Sequence, residues 1–130
     1  MSDVPDDCLY TKEHEWIRVE GGRATIGITD YAAHELGDVT YVEVPSVGQE
    51  LKQFGVFGSV ESVKAVSDIY APASGKVVEV NGDLEDEPGL VNVGPYAGGW
   101  ICRMDLADEG ELEGLLKPDA YRALLAELED

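Results

Sequence analysis

The residue in this chain of 130 with the clearest capacity for covalent chemistry is Lys64, in the stretch GSVESVKAVSDIYAP from Gly58 to Pro72. It is flanked by small and β-branched side chains rather than by a polar loop. A primary amine in that setting can be an ordinary solvated charge, or it can be acylated and become a tether. Acylation removes the positive charge of lysine. With five lysines in the chain, the second reading depends on flanks that hold the amine out. Other chemistry is sparse. His14-Glu15 and His34-Glu35 lack the second histidine of a zinc-protease helix, and no G-x-S-x-G elbow occurs. Gly55 to Gly58 is not followed by the Lys-Ser or Lys-Thr of a phosphate-binding loop. Cys8 and Cys102 have neither metal-site nor redox spacing and are expected as two reduced structural thiols, with a disulfide left open.

The elements that must position Lys64 are short strands. Phe54, Val56, Gly58 and Val60 alternate with the period of a half-buried strand, and Ala65, Ser67, Ile69 and Ala71 form a second, weaker alternation. Pro72 and Gly75 end the run. A hairpin with Lys64 near its tip is predicted, although Ser62-Val63-Lys64-Ala65 contains no Asn-Gly or Asp-Gly turn. Residues 1–8 read as a loosely held arm. Glu15–Glu20 and Arg23–Ile28 flank Gly21-Gly22 as the clearest hairpin in the sequence. Thr29 or Asp30 can cap a short helix that buries Ile28, Ala32 and Leu36, ends at Gly37 and leaves His34 exposed.

Val39–Val44 reads as a strand ended by Pro45, and Gly75–Val80 repeats its shape faintly. Asp83 to Gly98 is a long irregular section punctuated by prolines. Trp100–Leu106 returns to strand, and Asp108-x-x-Glu111 has the form of a capping box. Residues 118–128 form a last helix with Tyr121, Leu124, Leu125 and Leu128 on one stripe. The pattern predicts one mostly β domain over residues 1–130, a sandwich or barrel with short peripheral helices and a C-terminal helix.

The segment Glu61 to Ala65, continued by Ser67 to Pro72, resembles the lipoylation segment of the glycine cleavage system H protein family. The resemblance runs through His14-Glu15-Trp16, Gly27 to Ala32, Leu36 to Val39, Val78 to Asn81, Pro88 to Asn92, and Pro95 to Trp100. It implies a barrel-sandwich hybrid, the flattened β-sandwich of lipoyl and biotinyl domains. It also implies covalent lipoate on Lys64, with Glu61, Ser62, Val63 and Ala65 as the recognition residues around it. The implied role is that of a carrier rather than a catalyst. Its partners would be glycine decarboxylase, aminomethyltransferase, dihydrolipoyl dehydrogenase and the lipoate-attaching enzymes. An arm-sheltering pocket for the cationic aminomethyl adduct is expected at Glu15 and Asp68, with Glu13 and His14 beside them. A lipoyl arm on lysine reaches roughly 12–15 Å at ordinary bond lengths.

Three alternatives stay open on sequence. A biotin carrier also mounts a lysine on a hairpin, but its usual flanking methionines are replaced here by Val63 and Ala65. An H-like protein relaying lipoyl groups to other enzymes would look the same. An unmodified docking module is the third.

Composition narrows the partners. The formal net charge is −18, which disfavours nucleic acid, whose phosphates need clustered Lys and Arg, and disfavours anionic membranes for the same reason. The carboxylates at Asp83 to Glu87 and from Asp105 to Glu113 read mainly as solvated faces. They would also steer the protein toward basic collars around enzyme sites; a high-salt habitat would leave the same balance. An apolar fraction of 44% suits a folded core. No apolar run approaches the roughly 18–20 residues of a membrane span. The acidic N-terminus resembles no signal or transit peptide, so a cytoplasmic protein is expected; a monomer is expected as well.

Overall fold

The computed structural model describes residues 3–129, the last of them by backbone alone. Its strands begin with β1 (Leu9–Tyr10), β2 (Glu15–Glu20) and β3 (Arg23–Ile28). Gly21 and Gly22 join β2 to β3 with φ of 56° and 81°, the paired positive values that a tight two-residue hairpin requires. Helix α1 (Asp30–Leu36) is capped by Thr29, whose hydroxyl accepts from the Ala32 amide, and stops at Gly37 with φ 75°. Then come β4 (Val39–Glu43), β5 (Glu50–Leu51), β6 (Val56–Ser62), β7 (Val66–Tyr70) and β8 (Gly75–Val80). Helices α2 (Asp83–Asp86) and α3 (Leu90–Val93), strand β9 (Cys102–Leu106), a 3-10 helix (Glu109–Gly114) and α4 (Pro118–Glu129) complete the chain.

All pairings are antiparallel. A six-stranded sheet runs β1-β2-β3-β9-β8-β5, and a three-stranded sheet runs β4-β6-β7. Neither closes on itself. Ile17, Ile26, Val77 and Met104 of the larger sheet share one buried cluster with Val42, Val60 and Ile69 of the smaller. Apolar side chains from both inner faces therefore fill a single layer, as the expected flattened sandwich demands. A second cluster joins Val4, Cys8, Tyr10, Trp16, Tyr121 and Leu125. Tyr10 and Tyr121 stack there with centroids 4.4 Å apart. Trp16 lies flush on Gly27, where an added Cβ would sit 2.7 Å from the indole, and its Nε1 donates to Pro95 O at 3.0 Å.

Four expectations need correcting. The arm of residues 1–8 is not loose from Asp3 onward; Met1 and Ser2 lie outside the described residues. The Asp3 amide donates to Asp30, Arg122 donates to Val4 O, Tyr10 OH donates to Pro5 O, and Arg18 pairs with Asp7. The section Asp83–Gly98 is not wholly irregular but contains α2 and α3. Asn81 organises its start, accepting from the Asp83 amide and donating to Gly98 O and Trp100 O. The capping box forms only by half. Asp108 accepts from the Gly110 amide, while Glu111 turns to the Ser74 amide and hydroxyl. Finally, β6 does not bury Phe54 and Val56 with Gly58 and Val60. The ladder shifts register between Val56 and Gly58, so Phe57 and Gly58 turn inward while Phe54 and Val56 stay 57% and 55% exposed. One inserted residue exchanges the faces of a strand. The cysteines are free and buried, as expected.

The bulge brings β4 and β6 close. A Cβ on Gly58 would lie 2.3 Å from the backbone carbonyl oxygen of Glu43, which has no side-chain freedom to yield. Gly58→Ala is expected to cost about 1–3 kcal/mol in urea unfolding. Gly82→Ala, where nothing lies within 4 Å, should stay within about 0.5 kcal/mol.

Candidate functional site: a lysine on a braced hairpin tip

Strands β6 and β7 pair up to Glu61 and Val66. Beyond them the Ser62 amide donates to Ala65 O at 2.8 Å, leaving Val63 and Lys64 as the tip. Neither has positive φ; among the described non-glycine residues only His14 and Phe54 do. The turn is therefore not of the primed type that Asn-Gly signals. Ser62 makes it instead, its hydroxyl accepting from the amides of Lys64 at 3.3 Å and Ala65 at 3.1 Å. A serine closing a turn onto amides two and three residues ahead is a recognised but weaker signal.

A second segment braces the tip from the side. Asp38 O accepts from the Val63 amide at 3.2 Å, Val39 pairs with Ser62, and Thr40 Oγ1 donates to Glu61 O at 3.2 Å. The Lys64 stem lies over Gly37, where an added Cβ would be 3.5 Å from its Cε. Lys64 itself is exposed, and among the described residues its amine enters no ion pair. Its neighbours Val63 and Val66 are 74% and 67% exposed, and Glu61 and Ala65 are exposed with them. Backbone order and side-chain freedom thus coincide at one residue.

The four residues expected in an arm pocket go to different places. Asp68 is exposed on β7, opposite Ser59. Glu15 is 1% exposed; its carboxylate accepts from Thr11 Oγ1 and from the Tyr70 amide, the latter at 3.2 Å. It therefore fastens the far end of β7 to the six-stranded sheet. Burial pushes its pKa up to about 7, against the pull of the Thr11 and Tyr70 hydrogen bonds. Glu13 is exposed at a cleft of about 520 Å³ that it lines with Tyr10, Lys12, Phe54, Tyr70 and Leu115. His14 turns away from this group. Its Nδ1 bonds with Tyr121 OH at 2.9 Å, its ring packs on Tyr31 at 4.6 Å, and burial lowers its pKa. Tyr121 OH in turn meets Thr29 Oγ1 at 2.7 Å. Glu13, Glu15 and Tyr70 thus converge on the outer edge of β7, with Asp68 two residues away, and His14 belongs to the second core. Sequence reasoning missed the bracing roles of Gly37, Asp38 and Tyr70, which carry no local signature.

Residues 8–128 match the family described as Glycine cleavage H-protein. The chain belongs to that family. It is 57% identical over 127 residues to the glycine cleavage system H protein of Symbiobacterium thermophilum, covering 98% of this chain and 99% of that one. Identity to the H protein of Oceanobacillus iheyensis is 55% over 122 residues, covering 94% and 97%. The crystal structure of the H protein from Mycobacterium marinum superposes with a TM-score of 0.87 at 36% identity, covering 95% of this chain and 99% of that one. The H-protein family membership accounts for the flattened sandwich as well as for the spacing of the motifs along it.

Glu15 gives the stability a pH dependence. Its folded pKa of about 7 lies above the ordinary 4.5, so the native state holds its proton more tightly than the unfolded chain. The resulting stabilisation is complete below about pH 4.5 and is lost as pH rises through about 7. Urea unfolding at several pH values should show wild-type stability falling across that window relative to Glu15→Gln, whose profile lacks this component.

Proposed function

We propose that Lys64 bears a covalent lipoyl group and that the protein is the non-catalytic carrier of the glycine cleavage system. The observation carrying this reading is an exposed, unpaired amine on a doubly braced hairpin tip in a chain of the H-protein family. The tip fits the group's needs. An attaching enzyme requires an approachable amine, and Lys64 is exposed with no ion pair among the described residues. A carrier requires that the arm move while its mount does not, and the bonds from Ser62 and Asp38 fix the mount. Attached there, the dithiolane supplies a redox-active pair of sulfurs for aminomethyl transfer and for passing on reducing equivalents.

The chain's own residues contribute electrostatics and positioning. Asp68 and Glu13 offer exposed carboxylates for a cationic amine, a charge-assisted contact stronger than a neutral hydrogen bond. Glu15 works from behind them by holding Tyr70 and so the line of β7. Glu61, Ser62, Val63 and Ala65 frame the amine for recognition by the attaching enzyme. The partners in this reading are glycine decarboxylase, aminomethyltransferase and dihydrolipoyl dehydrogenase, met in the cytoplasm by a monomer. A net charge of −18 speeds encounter with basic collars on such enzymes.

Intact-mass measurement of protein from lipoate-replete cells should show one lipoyl adduct, absent in Lys64→Arg. The same variant should reduce glycine–bicarbonate exchange, reconstituted with the partner enzymes, to background. An unmodified wild-type chain, or full exchange by the variant, would refute the proposal.

A further inference from the structure

Helix α1 ends in a way that leaves backbone groups to be satisfied. The Gly37 amide donates to Ala33 O at 3.2 Å, and positive φ turns the Gly37 carbonyl away from the helix. Last-turn carbonyls need an outside donor. One side chain from α3 provides it. Asn92 Nδ2 donates to Gly37 O at 2.8 Å and to Ala33 O at 3.4 Å, while its Oδ1 accepts from the Val39 amide at 2.9 Å. Two carbonyls and one amide in this arrangement fix the orientation of the side-chain amide. The side-chain amide of asparagine carries an acceptor oxygen and a two-proton donor on one planar unit, which is the set these three partners need.

Two of the residues so fixed, Gly37 and Val39, bracket Asp38, and these three touch the tip. Gly37 lies under the Lys64 stem, Asp38 O accepts from the Val63 amide, and Val39 pairs with Ser62. Residues 37, 38 and 39 thus face 64, 63 and 62 in reverse order. The base of Asn92 is itself constrained. The Gly94 amide donates to Leu90 O at 2.9 Å, and Gly99 lies so close beneath α3 that a Cβ there would sit 2.6 Å from Leu90 O.

From this juxtaposition we infer that Asn92 is a positioning residue for Lys64. Without touching the lysine, it sets the height and direction of the tip through the 37–39 segment. This rests on the carrier reading for its consequence in lipoyl attachment, but its structural half is independent of it. Asn92→Ala removes all three bonds. Asn92→Asp keeps an acceptor for Val39 and replaces both donors with a charge that repels the helix carbonyls. Met104→Ala, a core truncation in the other sheet, controls for general loss of stability.

The test uses the full-length apo protein, with amide hydrogen exchange followed by NMR and attachment kinetics measured with a purified lipoate-attaching enzyme. In Asn92→Ala the Val39 and Val63 amides should exchange at least about tenfold faster. The kcat for attachment should fall about tenfold, short of the ~100-fold that a 1 Å misplacement can cost, while KM stays within about twofold. Asn92→Asp should keep Val39 protected yet open Val63 and slow attachment as the alanine variant does. Met104→Ala should leave Val63 exchange and attachment kcat unchanged.

Wild-type Val63 protection in both Asn92 variants would overturn the inference. So would a Met104→Ala variant as slow in attachment as Asn92→Ala. If the wild-type chain were never modified, the carrier reading would fall instead, and Val63 exchange would still decide the role of Asn92.

Discussion

Backbone hydrogen bonds around the β6–β7 turn are the constraint on which the remaining structure depends. The Ser62 hydroxyl takes two tip amides and Asp38 O takes a third, so the peptide units carrying Lys64 are held without help from its amine. A turn held by a salt bridge to that lysine would be as ordered and chemically useless, since acylation would remove the charge that held it. The strands behind the turn extend the same division. Bulges in β4 and β6 let the small sheet press close at Gly58, and Glu15 fastens β7 at its other end. The two sheets share one core, which anchors the strands behind the tip, while the tip itself is held by its own local bonds.

The distribution of cations follows the same logic. Every arginine is in an ion pair: Arg18 with Asp7, Arg23 with Asp105, Arg103 with Glu79, and Arg122 with Asp6 and Asp119. Exposed pairs of this kind contribute little individually. Two of them nevertheless clip residues 6 and 7 to the body, and two lie across the six-stranded sheet. Arg103 and Arg18 also stack on Trp100 and Trp16. The planar, multidentate cation sits where geometry matters, while among the described residues no lysine enters an ion pair.

How much of this was legible in the sequence depends on how far each cause reaches along the chain. Gly21-Gly22, the Thr29 cap and the Gly37 stop act within a turn, and all appear where they were read. The place of Lys64 at an exposed hairpin tip was legible through its flanks. The Ser62 turn was overlooked because it uses a hydroxyl where Asn-Gly was sought. The fates of Phe54 and Val56 were hidden by a bulge, which exists only in relation to the partner strand. Glu15 read as a pocket acid, but its burial is decided by Thr11 and Tyr70, the latter 55 residues away. Helices α2 and α3 are too short to show a period. They are held in place by Asn81 and Asn92, whose partners lie on other elements.

The bare valines beside the lysine, Val63 and Val66, have an effect opposite in kind to the protein's charge. A surface that accepts this tip must dry both of them, a step favoured by salts that are excluded from protein surfaces. Attraction of a −18 body to a basic surface would fade within about 10 Å at 0.1 M ionic strength. Arrival and seating therefore answer to different properties of the same electrolyte. On a basic surface, chloride would mainly slow the approach, whereas sulfate would slow the approach but tighten the fit once the tip is in.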